Sequence, residues 1–115
     1  MIARFLLICL GGAVGTGARY ATSLWTPTAF STVLVNVIGS FAIALIVDFM
    51  PATDLRLFLT VGILGGFTTY SSFNEETLLL LRAGTWGLAL LNLGGTVIAC
   101  LLAGAAGMAV ARMIR

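Results

Sequence analysis

The sequence predicts an all-α membrane protein of four transmembrane helices with the third helix broken, and three observations carry that reading. Hydrophobic residues fill 60% of the 115 positions and charged residues only 9%, against roughly a quarter charged in soluble domains. The mean hydropathy is +1.13. Long apolar runs alternate with short polar turns, and each crossing of the hydrocarbon takes roughly 20 residues. Four crossings use roughly 80 positions, so the chain reads as one four-helix transmembrane subunit over residues 1–115 with only short loops.

The first span is predicted from about Ile2 to Tyr20, ending near Arg19, whose long side chain can reach the interface. Its start mimics a signal peptide, with Arg4 before an apolar run and Cys9 placed like a lipoprotein cleavage site. Bulky Ile8 occupies the position where such a site wants a small residue, and the run continues into Gly11-Gly12-Ala13-Val14-Gly15. A retained first helix is the better reading. Thr26-Pro27-Thr28 is a turn, and the second span covers about Ser31 to Phe49, stopped by Asp48 and Pro51. The third runs from about Leu55 to Leu81 and is interrupted around Gly65 to Ser72. Arg82-Ala83-Gly84-Thr85 is a tight turn, and the fourth span covers about Trp86 to Ala109. Trp25 and Trp86 fall where interfacial aromatic belts lie.

The chemical inventory excludes most enzymology. There is no His and no Lys; the acids are Asp48, Asp54, Glu75 and Glu76, none beside a candidate nucleophile. Cys9 and Cys100 lie in apolar runs without the spacing of redox or zinc sites, and read as packing residues. Neither a phosphate-binding loop nor a dinucleotide fingerprint is present, and nothing suggests a nucleic-acid partner.

Glycines and other small residues recur four apart at Gly11 and Gly15, Gly12 and Thr16, and Gly62 and Gly66. In lipid such ridges let helix backbones approach closely. Gly65 and Gly66 differ, because a polar run follows them directly. The arginines are nearly balanced: Arg4, Arg56, Arg112 and Arg115 fall on the N-terminal side, Arg19 and Arg82 on the other. Cation bias sets orientation, so this small bias permits insertion both ways and an antiparallel dimer, the two-chain version of an inverted repeat.

Polar residues gather where function is to be sought. The run Gly65-Gly66-Phe67-Thr68-Thr69-Tyr70-Ser71-Ser72-Phe73-Asn74-Glu75-Glu76 interrupts an otherwise apolar span. Irregular or polar backbone at depth is tolerated only inside protein or along a water-lined path, and broken helices mark binding or permeation sites. Asn36 and Ser40 share a face of the second span, Asn92 and Thr96 a face of the fourth. Each pair alone can simply bond a neighbouring helix; together with the broken span they read as the lining of a path. Amides and hydroxyls can donate to an anion, and Tyr70 and Phe73, three apart, offer ring edges of positive potential. Without a fixed cation the site binds weakly enough to release its ion, as conduction requires.

At these residues the chain resembles the Fluc/CrcB family of fluoride channels. The motif from Gly65 to Phe73 followed by Glu76 resembles the family's third-helix signature. Gly11 to Gly15 through Arg19-Tyr20 resembles its first-helix motif, and Val35-Asn36-Val37-Ile38-Gly39-Ser40 its second-helix motif. The resemblance implies a dual-topology homodimer in the bacterial inner membrane, with two antiparallel pores that export fluoride passively. By that resemblance Tyr70 and Phe73 are the paired pore aromatics, Asn36 the pore amide, Thr69, Ser71 and Ser72 a hydroxyl track, and Glu76 the acid after it. Asn92 and Thr96 fall at fourth-helix pathway positions. The carbonyls of Gly65 and Thr68 match those holding a structural Na+ at the dimer centre, and Arg19 matches the first-helix arginine. The chain departs from the pattern at Tyr70 (usually Phe), Asn92 (often Tyr), Thr96 (commonly Ser) and Asn74 (frequently Ser). These departures leave a heterodimer with a second homologue open beside the homodimer.

Two other readings compete. A small multidrug-resistance-like transporter also has four short helices in dual topology, but proton-coupled export of cationic drugs wants a carboxylate in the first helix, and residues 1–25 hold no Asp or Glu. A non-conducting assembly subunit explains the glycines but not polar residues concentrated on three successive spans.

Overall fold

The computed structural model describes residues 1–115, apart from the side chains of Thr28 and Ala29. The chain passes up and down through helix α1 (Ile2–Trp25), α2 (Thr28–Phe49), a broken third passage, and α5 (Trp86–Ile114). The third passage consists of α3, residues 54–67, and α4, Tyr70–Arg82, joined by Thr68 and Thr69. Three of these helices contain stretches long and apolar enough to cross a membrane, Ile2–Trp25, Phe30–Phe49 and Trp86–Ile114. At 1.5 Å per residue, α1 and α5 are roughly 36 and 43 Å long, enough to span a hydrocarbon core of roughly 30 Å. The chain is a multi-pass membrane protein. Its exposed faces suit lipid: Leu6, Leu10 and Val14 on α1, and Leu90, Leu91, Leu101 and Leu102 on α5 all stand outside the core.

Helix α1 packs along α3, and α2 packs along α5. The small-residue ridges make the first contact possible. A Cβ on Gly11 would stand 2.9 Å from Gly62 Cα, one on Gly15 would strike Ile63 O, and one on Gly66 would stand 2.6 Å from Gly12 O. The predicted ridges of α1 and the third span are therefore the two halves of one seam. A further close approach joins α2 and α5, where Gly107 lies against Phe41 O.

Phe58–Leu64 within α3 winds as a π-helix, a wide turn that is rare and gathers at functional sites. Thr60 Oγ1 satisfies the Arg56 carbonyl at 2.8 Å, and the Gly65 N–H reaches five residues back to Thr60 O. The helix ends have local causes. Thr53 caps α3, its Oγ1 accepting from Arg56 N at 3.2 Å. At the end of α4, Gly84 takes φ +79° and Thr85 N–H bonds Leu80 O at 3.0 Å, a glycine C-terminal cap.

The helices run past their apolar segments. Helix α1 continues to Trp25 rather than stopping near Tyr20, α2 begins at Thr28 rather than Ser31, and α5 extends to Ile114 rather than Ala109. Polar and charged residues there meet the interface without ending the helix. One end of the bundle collects charge: Arg4 pairs with Asp54 at 2.8 Å, and Asp48 faces Arg112 and Arg115 at 3.8 and 3.9 Å. Arg56 Nη1 donates to Met50 O at 2.9 Å, closing the end of α2. Arg19 does not run out to the interface. It turns inward, as described below.

Candidate functional site

The site is built around a break narrower than the polar run suggests. Gly65–Phe67 is helical and helix resumes at Tyr70; only Thr68 (φ −83°, ψ 157°) and Thr69 (φ −150°, ψ 115°) are extended. Gly65 keeps a right-handed φ of −61°, and Gly66 belongs to the seam with α1. The interruption is thus made at the threonines rather than at the glycines.

An extended pair inside a helix leaves backbone groups that lipid cannot satisfy, and each costs several kcal/mol if unbonded. Side chains from two other helices meet that demand. Asn36 of α2 accepts from Thr69 N–H at 2.8 Å and donates from Nδ2 to Thr69 O at 2.9 Å. Arg19 Nε of α1 donates to Gly66 O at 3.1 Å. Thr69 then serves as N-cap of α4, its Oγ1 accepting from Ser72 N–H at 3.2 Å. The same hydroxyl lies 3.3 Å from Ser71 Oγ and 3.2 Å from Ser72 Oγ, a cluster of three hydroxyls at the break.

Two cavities flank this cluster, and Thr69 lines both. The first, about 450 Å³, is bordered by Asn36, Ser40, Tyr70, Phe73 and Thr96 among apolar neighbours. Phe73 is 4% exposed and meets the exposed Tyr70 edge to face, with centroids 5.8 Å apart and planes at 68°. The second, about 400 Å³, is more polar and is lined by Arg19, Ser31, Thr32, Ser72, Glu75 and Glu76. Glu76 Oε1 accepts from Thr32 Oγ1 at 2.7 Å, while its Oε2 is buried with no hydrogen-bond partner among the described residues.

Most residues singled out in the sequence therefore gather on one wall or the other. Gly65 and Thr68 line the first cavity together with Asn36, Tyr70, Phe73 and Thr96. Ser71 is exposed and joins the hydroxyl cluster without lining either cavity. Asn92 stands aside, its Nδ2 donating to Thr77 Oγ1 at 3.0 Å, and Thr77 in turn donates to Phe73 O at 2.9 Å. It fastens α5 to the aromatic turn of α4. Thr32 was not anticipated; it lies on α2 four residues before Asn36, a spacing that puts both on one face.

The break also frees carbonyl oxygen. The amide that would close a helical turn on Gly65 O is Thr69 N–H, which goes to Asn36 instead. Thr68 O accepts no hydrogen bond among the described residues. Neutral carbonyls of this kind are hard donors suited to an alkali cation.

A helical bundle whose third passage is broken halfway, with amide and hydroxyl groups, aromatic rings and, against the expectation of a site without a fixed cation, the Arg19 guanidinium around the gap, defines a multi-pass membrane protein of the interrupted-helix class used for solute passage. Comparison with known proteins narrows the class to a family. The family model described as "CrcB-like protein, Camphor Resistance (CrcB)" matches residues 6–108, and the chain belongs to this family. Among similar proteins is one of Anaeromyxobacter sp. (strain K), 52% identical over 114 residues that cover 89% of this chain and 90% of that protein. One of Sorangium cellulosum (strain So ce56) is 46% identical and covers 96% of each chain. One of Thermus thermophilus is 42% identical over 88% of this chain and 87% of that protein. All three are named fluoride-specific ion channel FluC.

Proposed function

We propose that the chain is a fluoride channel subunit that passes fluoride passively out of the bacterial cytoplasm across the inner membrane, limiting fluoride toxicity. The reading is carried by one observation: Thr69, at the break, forms a wall common to the aromatic cavity and the hydroxyl-lined cavity. An ion moving between them leaves the Phe73 and Tyr70 ring edges and meets the hydroxyls of Thr69, Ser71 and Ser72 on the way to Glu76 and Thr32. Asn36 has one amide N–H beyond the one given to Thr69 O, and that donor serves the anion. Thr96 lines the aromatic side. Asn92 acts through Thr77 and Phe73, holding the ring rather than touching the ion.

The working form is an antiparallel dimer, taken as a homodimer, with a heterodimer as its variant. Two copies related by an axis in the membrane plane supply two carbonyls each, Gly65 O and Thr68 O, which would hold a structural Na+ between them. When bound, that ion supplies fixed positive charge at the dimer centre. The chain's contribution is to present both oxygens without helical partners. The multidrug-transporter alternative finds no support: α1 holds no acidic residue, and the acids at the break's polar side lie on α4.

Liposomes holding only the purified chain test the proposal. A fluoride-loaded preparation should discharge fluoride down its gradient once valinomycin lets K+ follow and balance the charge, with no proton gradient imposed, and a chloride-loaded one should not. Retention of fluoride equal to that of empty liposomes would overturn the proposal.

A further inference from the structure

We infer that Asn36 is the wedge that keeps the third span broken, a positioning role exerted through the backbone of Thr69 and separate from the N–H it offers the anion. In a continuous helix Thr69 N–H would bond Gly65 O. Here the Asn36 Oδ1 holds that N–H at 2.8 Å, and Nδ2 grips the carbonyl of the same residue at 2.9 Å. One side chain thus replaces what helix continuity would supply, in a medium where neither group can fall back on water. The neighbouring surface of α2 is shaped to match. Val35 is fully buried, and Gly39, one turn beyond Asn36, leaves its Cβ position to the Thr68 methyl, which a side chain there would strike. Helix α2 therefore receives Thr68 in a notch and Thr69 in an amide grip.

The alternative is that the break stands by itself, through the N-cap of Thr69 and the Arg19 bond to Gly66 O. Those contacts stabilise the helix ends on either side. Neither competes for the Thr69 N–H, and so neither prevents the helix from closing across the gap. The wedge makes that closure unfavourable and so leaves Gly65 O without its helical donor. It concerns how the span is shaped, and stands or falls apart from whether the chain conducts.

Magic-angle-spinning NMR on the full chain in lipid bilayers reads this directly through the 13C shifts of Thr68 and Thr69. The wild-type chain should give extended-backbone shifts at both. Asn36→Leu should move Thr69 to helical values, whereas Asn36→Asp, which keeps an oxygen for the Thr69 N–H, should retain extended values. Asn92→Leu, whose amide bonds Thr77 instead, serves as a polar-to-apolar control and should leave both extended. Extended shifts in Asn36→Leu would overturn the inference even if that variant had lost fluoride flux. Should Asn36→Leu fail to fold, amide exchange in the wild-type chain decides: Thr69 N–H should exchange at least about tenfold more slowly than Ser71 N–H, and equal rates would overturn the wedge.

Discussion

Phe73 and Tyr70 make the sharpest residue-scale test, because they share a turn and differ in burial, 4% against 75% exposed. If the Phe73 ring edge faces the ion, Phe73→Ile keeps an apolar side chain and removes the positive edge. Fluoride flux should fall roughly tenfold or more, equivalent to about 1.4 kcal/mol at the barrier. Stability should change by less than about 1.5 kcal/mol. Stopped-flow efflux beside a thermal melt checks both; normal flux would reduce Phe73 to packing. Tyr70→Phe should leave flux within about twofold, since the ring edge survives. The aromatic pair was legible in the sequence because residues three apart on a helix meet. The grip of Asn36 on Thr69 and of Arg19 on Gly66 was not, since these contacts join positions 33 and 47 residues apart. The sequence marks Asn36 as a polar residue at depth; its engagement with the backbone is visible only in three dimensions.

At the scale of elements, the seam between α1 and α3 separates glycines that the sequence could only group. A Cβ on Gly15 would strike the Ile63 carbonyl, whereas one on Gly12 meets nothing within 4 Å in this chain. Gly15→Ala should therefore lower stability by about 1–3 kcal/mol through overpacking, while Gly12→Ala should cost nothing or stabilise slightly through helix propensity. Equal melting shifts for the two would show that the seam is not the packing surface. Hydropathy located the four passages because burial in lipid is dictated by composition. It missed the true helix ends, where interfacial residues continue the hydrogen-bond ladder, and the π-helical turn at Phe58–Leu64. It also spread the break over Gly65 to Ser72, because glycines that serve packing look the same in a sequence as glycines that relax a backbone.

For the whole molecule, orientation and assembly carry the remaining predictions. Arg4, Arg56, Arg112 and Arg115 lie at one end of the bundle, Arg82 at the other, and Arg19 turns toward the break. On the proposed antiparallel dimer, adding two or three lysines after Arg115 should bias most copies to one orientation. Flux per cell should then fall severalfold and recover when an oppositely biased variant is co-expressed. Single-cysteine accessibility gives the orientations; full activity with one orientation would contradict the dimer. The claim beneath all of these is that hydrogen-bond donors and ring edges at the break select a small anion. Planar-bilayer recording of the purified chain tests it most directly, with unequal fluoride and equal chloride on the two sides. The account predicts a reversal potential at the fluoride equilibrium value and no measurable chloride current; comparable currents for the two ions would contradict it.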